Sequence, residues 1–173
     1  MERIKGPIGG FKMGEMVLED FRQTMSQFCT GVVVATAWRE ERPVGLTLQS
    51  FVSISLDPLL ISISPGKSSV SWPKIRDAGK FCISILADDQ RSVCDAMSKS
   101  GDEKFSEIDW TMNGMQLPCF PGSIASINCE LEAEHDAGDH TLVIGRVVDF
   151  DLTYKDKDPL TFFRGRYLSL IHI

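Results

Sequence analysis

The chain has 173 residues, 43% hydrophobic and 24% charged, and its 18 Lys and Arg against 24 Asp and Glu give a net charge of −6. This density of apolar residues excludes an intrinsically disordered chain and predicts one folded domain. The acidic balance, without any block of basic residues, argues against nucleic-acid binding, and no apolar run approaches the roughly 18–20 residues of a membrane-spanning helix.

The N-terminal segment and the cysteines indicate a cytoplasmic protein with reduced thiols. Residues 1–16 have no apolar stretch behind their charges, so we interpret them as a flexible arm and not as a signal peptide, with residues 17–173 as a single domain. The odd number and wide spacing of the cysteines favour neither a disulfide framework nor a zinc site, and no metal is expected. The cysteines are Cys29, Cys82, Cys94, Cys119 and Cys129.

In chain order, the first predicted element is a helix. Apolar side chains recur at three- and four-residue steps from Leu18 to Phe28, which predicts one apolar helix face. A continuous β-branched run follows at 32–37 and is typical of a strand buried on both faces. Further strands are predicted at 44–55 and 59–63, with turns at 39–43 and Asp57-Pro58.

The rest of the chain adds two short helices and five strands. Ser68 or Ser69 is predicted to cap a helix that ends near Gly79, and Asp88 one that ends near Met97. Strands are predicted at 81–86, 123–134, 141–153, 160–163 and 167–171, and loops at 98–104, 118–122 and 135–139. Many strands with hairpin-length connections favour a mainly β, antiparallel, Greek-key-like closed barrel with a few flanking helices.

Several common catalytic motifs are missing. No glycines have the spacing of a dinucleotide fingerprint, and Gly66-Lys67-Ser68 matches only the rear half of a phosphate loop because Ile61 occupies the leading glycine position. The nucleophile elbow GxSxG is also absent. His135, His140 and His172 lack the spacing of zinc ligands.

Polar residues occupy a strand that should be apolar. Thr47, Gln49 and Ser50 stand in the predicted strand 44–55, and each hydroxyl or amide costs about 1–3 kcal/mol if buried without a partner. Gly45 would let a flat molecule approach the backbone closely. Either these groups bind a ligand, or they form an edge strand that faces water.

A second polar segment, Ser64 to Ser69, combines hydroxyls, the Lys67 ammonium and a predicted helix start. Such a segment suits an anion, although it is also what a plain helix cap requires. We predict that the two polar segments lie on neighbouring strands. Together they would hold a planar ring at one end and a phosphate at the other.

Six short segments, in this order, resemble the short-chain flavin reductase family, whose members have the FMN-binding split-barrel fold. Each segment is weakly specific, but their shared order covers residues from about 21 to 170. The segments are 28–34 (FCTGVVV), 43–51 (PVGLTLQSF), 53–58 (SISLDP), 102–105 (DEKF) with Trp110, 138–147 (GDHTLVIGRV), and Pro159-Leu160 with 165–167 (GRY).

The resemblance implies an NAD(P)H:flavin oxidoreductase that reduces FMN or FAD and supplies reduced flavin to a separate oxygenase component. It implies a homodimer, and a catalytic His140 near the open face of the ring, where nicotinamide stacks. The segment from Thr47 to Ser50 would line the ring, Ser64 to Ser69 would surround the phosphate, and Phe105 would help cover the site. The implied flavin-binding residues are Gly45, Thr47, Leu48, Gln49, Ser50, Ser64, Lys67, Ser68, Ser69 and Phe105.

The chemistry requires no side-chain nucleophile, because hydride passes directly from nicotinamide to flavin. The choices between FMN and FAD and between NADH and NADPH stay open, and Gln49, Ser84 and Leu59 depart from residues frequent in the family. Two alternatives remain. One is a flavin-binding electron carrier or sensor of the same fold, and the other is a barrel that binds an apolar ligand or a partner.

Overall fold

The computed structural model describes residues 18–101 and 103–168. Its helices are α1 (Leu18–Met25), α2 (Trp72–Ala78) and α3 (Arg91–Ser98), with a 3₁₀-helix at Glu103–Glu107. Its strands are β1 (Thr30–Gly31), β2 (Val33–Arg39), β3 (Arg42–Leu48), β4 (Val52–Leu56), β5 (Leu59–Ile63), β6 (Lys80–Ile85), β7 (Thr111–Met112), β8 (Pro118–Cys119), β9 (Ala125–Ala137), β10 (His140–Leu152), β11 (Thr161–Phe163) and β12 (Arg166–Leu168). Among these described residues, no helix combines the length and apolar character needed to cross a bilayer.

Seven strands form one antiparallel sheet in the order β3-β2-β6-β9-β10-β5-β4. The sheet curls until side chains of β3 and β5 meet in the same core, although β3 and β4 remain its two edges. The mainly β antiparallel barrel predicted from the sequence is therefore confirmed, with a split between its edge strands. Two small sheets, β1-β11-β12 and β7-β8, lie beside it.

Strand β2 belongs to two hydrophobic cores at once. Val33, Ala35 and Ala37 pack in the core inside the curled sheet, whereas Val34, together with Val32 just before the strand, packs in a second core with residues of α3. Because successive side chains of a strand point to opposite faces, a strand covered on both faces is apolar at nearly every position. This explains the continuous apolar run, and each fully buried valine contributes about 1.5–3 kcal/mol.

Several predicted elements have different bounds in the structure, and the first helix ends at Met25 and not at Phe28. The strand predicted at 44–55 is split into β3 and β4, because residues 49–51 leave the sheet. The turn predicted at 135–139 contains only Gly138-Asp139, since β9 and β10 stay paired as far as Ala137 and His140. The predicted loop 118–122 contributes strand β8.

Both later helices begin after their predicted caps. Helix α2 begins at Trp72, whose backbone N–H donates to Ser69 Oγ at 3.1 Å. Helix α3 begins at Arg91, and Gln90, not Asp88, occupies its cap position. The predicted arm 1–16, residue 17 of the first helix and the end of the last strand, 169–171, lie outside the described residues.

Gly145 on β10 allows the close packing of the inner core. A Cβ atom there would lie 2.8 Å from Phe81 Cζ, 3.1 Å from Ile61 Cδ1 and 3.2 Å from Cys129 Cβ. Phe81 is 1% exposed, so its ring has no free space into which to move. The absence of a side chain at residue 145 is therefore a packing requirement.

We predict that Gly145→Ala lowers the free energy of unfolding by about 1–3 kcal/mol, as overpacked cores do. Gly31→Ala is the matched control, because a Cβ atom at Gly31 meets nothing within 4 Å. Urea denaturation of both variants measures the difference. Equal stabilities of the two variants would contradict the packing argument.

Candidate functional site

The two polar segments come together through the curl of the barrel. The prediction that they lie on neighbouring strands is wrong, because β5 pairs with β4 and β10 and not with β3. Instead Ser50, just after β3, accepts a hydrogen bond from Ser64 N at 2.8 Å and donates to Ser64 O at 3.3 Å. The end of β3 and the start of the serine segment are thereby held in contact.

A cavity of about 330 Å³ lies between β3, the serine segment and the end of α3. It brings together Thr47 on β3, Ser68 and Ser69 of the serine segment, and groups that the sequence analysis did not select. The cavity is lined by Leu46, Thr47, Ser68, Ser69, Val70, Ser71, Met97, Ser98, Lys99, Ser100 and Lys104. Most of this lining is polar, with Leu46, Val70 and Met97 as its apolar part, so the cavity suits a polar or charged portion of a ligand.

Other sequence-predicted residues lie outside the lining of this cavity. Leu48 is buried in the inner core, which leaves only its backbone available to a ligand. Gln49 is exposed, and its Oε1 accepts a hydrogen bond from Thr30 Oγ1 at 3.5 Å.

Thr47 lies in the cavity lining, but its hydroxyl is already engaged. Thr47 Oγ1 donates to Cys94 O at 3.0 Å, so this hydroxyl ties β3 to α3.

Gly45 and Phe105 serve packing in this structure. A Cβ atom at Gly45 would lie 3.0 Å from Met97 Sδ and 3.2 Å from both Phe105 Cζ and Thr36 Cγ2. Phe105 is 5% exposed and stacks on Phe120 with a centroid distance of 6.1 Å. Phe105 therefore supports β3 from the second core, which it shares with residues of α3. The prediction that Phe105 helps to cover the site is not met by this position.

The hairpin tip between β9 and β10 packs onto the serine segment. Lys67 N donates to Asp139 O at 2.9 Å, and Thr141 N donates to Pro65 O at 3.0 Å. The His140 ring packs on Gly66, with its Nε2 3.7 Å from where a Cβ atom of Gly66 would lie. The hairpin thus brings His140 to the segment that ends in Ser68 and Ser69.

Asp139 orients the His140 ring. Its Oδ1 lies 2.8 Å from His140 Nδ1, and this hydrogen bond lowers the pKa of the Asp139 carboxyl. An ionised carboxylate can only accept, so Nδ1 carries the hydrogen and Nε2 stays available. The His140 side chain remains half exposed.

Lys67 is directed away from the cavity. Its Nζ forms an ion pair with Asp136 on β9, and both side chains are exposed. Lys67 is also outside the cavity lining, although the neighbouring Ser68 belongs to it. The basic residue that the serine segment itself supplies is therefore held by the hairpin.

Sequence reasoning missed Lys104 and Ser71. Lys104 is buried and donates to Gly45 O, to Ser71 Oγ at 3.1 Å and to Lys99 O at 3.3 Å. A lysine in a polar loop is normally solvated, and only the DEKF segment of the resemblance pointed to this position. Ser71 was hidden because the helix cap was predicted two or three residues earlier.

Comparison with known proteins identifies a family for the chain. A family model described as the flavin reductase like domain matches residues 25–170. The reductase subunit HsaB of a flavin-dependent monooxygenase from Rhodococcus jostii is 41% identical over 150 residues, covering 87% of this chain and 76% of that protein. The FMN reductase (NADH) SmoA of Agrobacterium fabrum is 40% identical over 147 residues, covering 85% and 83%.

The fold agrees with this match. The crystal structure of nitrilotriacetate monooxygenase component B from Mycobacterium thermoresistibile has a TM-score of 0.84 and 39% sequence identity, covering 88% of this chain and 86% of that chain. The family resemblance drawn from the six segments is thereby confirmed. From its sequence and its fold alike, the chain belongs to the flavin reductase like domain family.

Proposed function

We propose that this protein oxidises NADH, reduces FMN and passes the reduced flavin to a separate monooxygenase component. Family membership supports the flavin reductase activity. The observation that carries the proposal is that the β3 end and the serine segment line one cavity, while the His140 hairpin packs on the same serine segment. The names of the similar proteins, reductase subunit of a monooxygenase and FMN reductase (NADH), support the partner, the flavin and the nicotinamide.

The residues present suit a flavin. Strand β3 is an edge strand, so part of its backbone needs hydrogen-bond partners outside the sheet, and the segment from Thr47 to Ser50 offers such groups to a flat polar ring. The hydroxyls of Ser68 and Ser69 in the cavity suit the phosphate of the flavin tail. When both are bound, nicotinamide supplies a hydride and flavin accepts it.

His140 is proposed to position the nicotinamide. Its ring is held at Nδ1 by Asp139 and packed on Gly66, which leaves Nε2 to accept a hydrogen bond from the second substrate. Such fixed alignment lowers the barrier of hydride transfer without any proton transfer by the enzyme. Because His140 lies at the hairpin tip, the alignment of the nicotinamide depends on the contact between the hairpin and the serine segment.

We propose NADH and not NADPH as the reductant. The 2′-phosphate of NADPH is usually bound by an arginine. Arg146, which follows the His140 hairpin on β10, is instead held by both oxygens of Glu132, at 2.9 and 2.7 Å. This pairing raises the pKa of Arg146 and lowers that of Glu132, so the pair persists at neutral pH.

We propose a cytoplasmic protein with reduced thiols. All five cysteines are free, and Cys82, Cys94 and Cys129 are buried. Burial raises the pKa of the Cys82 and Cys129 thiols to about 12, so both stay neutral. They act as core residues, which fits a reducing compartment.

We propose a homodimer formed through an apolar groove at β4, β5 and β10, where the core inside the curled sheet reaches the surface. The groove has a volume of about 320 Å³, and Leu56 is 83% exposed and Phe150 65% exposed along it. A contiguous apolar face of this kind indicates a protein interface. A second copy supplies the matching apolar surface, since a twofold contact buries the same patch on both subunits.

The proposed activity predicts that NADH absorbance at 340 nm falls when FMN is added. His140→Ala should lower kcat/KM for NADH about tenfold to a hundredfold, the range of one lost hydrogen bond to a charged or reacting group, with FMN affinity within about threefold. His135→Ala is the matched control, because His135 is also an exposed histidine of this hairpin but lies on the other strand, β9.

Two results would contradict these assignments. Saturable FMN binding without oxidation of NADH or NADPH would favour the electron carrier or sensor of the same fold. If the two histidine substitutions changed kcat/KM for NADH equally, the proposed role of His140 would be wrong.

The dimer proposal predicts that Phe150→Asp converts the protein to a monomer at micromolar concentration. A charge replaces an aromatic side chain whose burial is worth about 1.5–3 kcal/mol in each subunit. Sedimentation velocity measures the change. Met112→Asp, at an exposed apolar position on β7 outside the groove, should leave the dimer intact, and a wild-type monomer would refute the proposal.

A further inference from the structure

A second cavity lies on the face of the sheet opposite the inner core. It has a volume of about 400 Å³ and is formed by β6, β9 and β10 on one side and by the segment 111–123, which contains β7 and β8, on the other. It shares no lining residue with the cavity of the proposed flavin site. The proposed flavin reduction therefore does not account for this cavity.

Polar side chains cross the floor of the second cavity in two rows. Strand pairing places Ser84 opposite Ser126 and Ser126 opposite Asp151, and in the next row it places Asn128 opposite Asp149. Residues directly opposite each other in a sheet point to the same side. Because neighbouring strands lie about 4.8 Å apart, the first row extends roughly 10 Å from β6 to β10.

An irregularity in β10 brings Asp149 into the second row. Val147 is opposite Cys129, and Asp149, not Val148, is opposite the adjacent residue Asn128. Such a bulge adds one residue to a strand and redirects the side chains that follow. Here the bulge places a carboxylate where regular pairing would place a valine.

A buried amide fixes the position of Asp149. Asn128 is 2% exposed, its Oδ1 accepts from Asn113 Nδ2 at 2.8 Å, and its Nδ2 donates to Asp149 Oδ2 at 2.9 Å. Asn113 Oδ1 in turn accepts from the backbone N–H groups of Met115 and Leu117 at 2.9 and 3.0 Å. The carboxylate is therefore held in place before any ligand binds, which lowers the cost of ordering it.

Ser84, at the buried end of the cavity, lacks a hydrogen-bond partner. It is 0% exposed, and its Oγ makes no hydrogen bond to any described residue. The thiol of Cys82, two residues earlier on the same face of β6, is only a weak partner. Because a buried hydroxyl without a partner is unfavourable and Ser84 lines the cavity, its hydroxyl is suited to bind a ligand.

The exposed end of the cavity is acidic. Asp149 and Asp151 are both exposed and both line the cavity. No lysine or arginine among the described residues lines the cavity or pairs with either carboxylate. Lys157, which bonds Gly122 O beside the cavity, is paired with Asp89 at 2.8 Å. Two neighbouring carboxylates repel each other, so a cation bound between them is stabilised by both.

The lining suits an organic cation better than a metal ion. Within the described part of the chain, no group of three or more His, Cys, Asp or Glu side chains is placed to hold a metal. Phe120, Pro121 and Ala125 form an apolar part of the lining, which suits methylene groups. A primary ammonium has three N–H donors, enough for both carboxylates.

We propose that this cavity binds a small aliphatic amine in its protonated form. The ammonium lies between Asp149 and Asp151, the alkyl chain lies along Phe120, and a terminal hydroxyl bonds Ser84 Oγ. This inference goes beyond the proposed function, because neither flavin nor nicotinamide enters the argument.

Isothermal titration calorimetry of the whole protein at neutral pH tests the proposal with three compounds of similar length. Aminohexanol carries an ammonium and a hydroxyl, hexanediol is neutral, and hydroxyhexanoate is an anion. Aminohexanol should bind at least tenfold more tightly than hexanediol, because hydrogen bonds between charged groups are the stronger ones, and hydroxyhexanoate should show no saturable binding. Saturating FMN should not change the Kd of aminohexanol, since the two cavities share no lining residue.

A charge substitution tests the acidic end. Asp149→Asn removes the charge but keeps an acceptor for Asn128, and it should raise the Kd of aminohexanol about tenfold to a hundredfold. Asp149 does not line the groove of the proposed homodimer, so that contact is left unchanged. Asp156→Asn is the matched control, because Asp156 is exposed and lies outside the cavity lining, and the Kd should change less than about twofold.

A hydroxyl deletion tests the buried end. Ser84→Ala should raise the Kd of aminohexanol about threefold to tenfold but leave that of hexylamine, which has no hydroxyl, unchanged. Without ligand, Ser84→Ala should not lower the Tm, because the deleted hydroxyl has no partner. Ser123→Ala is the matched control and should lower the Tm, since the buried Ser123 Oγ donates to Gln90 Oε1 at 3.1 Å.

Five results would overturn the proposal. The first is the absence of saturable binding by aminohexanol and by its shorter homologue aminobutanol. Hexanediol binding as tightly as aminohexanol would show that the carboxylates bind no cation. Competition by FMN would place the amine in the flavin cavity. An unchanged Kd in Asp149→Asn, or in Asp151→Asn where circular dichroism shows that Asp149→Asn does not fold, would exclude the acidic end. Equal losses of Tm in Ser84→Ala and Ser123→Ala would show that Ser84 already has a partner in the protein.

Discussion

The two-sided burial of β2 is the constraint on which the rest of the structure depends. Its alternate residues enter the core inside the curled sheet and the core under α3. Thr36, its one polar buried residue, donates to Pro118 O at 2.5 Å and lies 3.4 Å from Cys82 O, so the hydroxyl of Thr36 is hydrogen-bonded. Both faces of β2 must stay covered for the barrel to persist.

The position of β3 follows from β2. The two strands are paired from Val33–Leu48 to Arg39–Arg42, across a two-residue turn in which Glu40 and Glu41 have positive φ. Such a turn matches the twist of the strands it joins. The pairing leaves the other side of β3 as a sheet edge, and that edge is the wall from which the proposed site is built.

The proposed site is assembled from segments that are far apart in the sequence. Thr47, Ser71, Lys104 and His140 come from four different parts of the fold, and each is held by a bond to another part. Thr47 bonds Cys94 O in α3, Lys104 bonds β3, and His140 lies on a hairpin bonded to the serine segment. The geometry of the cavity thus depends on the whole barrel and not on any single motif.

The fold was largely predictable, because its signals are local. The run at 32–37 is apolar on both faces, and the hairpins have charged or glycine-containing turns, so strand positions and barrel class follow from pattern. The split of the predicted strand 44–55 was not predictable, since Ser50 leaves the sheet to bond Ser64, fourteen residues away. The start of α2 was misplaced because the serines at 68, 69 and 71 are equally good caps by composition.

The sequence by itself determined the architecture, the family and the two polar segments that the cavity shares, because alternation, turn residues and ordered short motifs are readable along the chain. Only the tertiary structure decided which polar groups meet. Lys67 and Lys104 look alike as lysines in polar loops, yet one is paired with Asp136 at the surface and the other is buried against Gly45 and Ser71. The physical reason is that burial and charge pairing are set by contacts between distant segments, which no local pattern encodes.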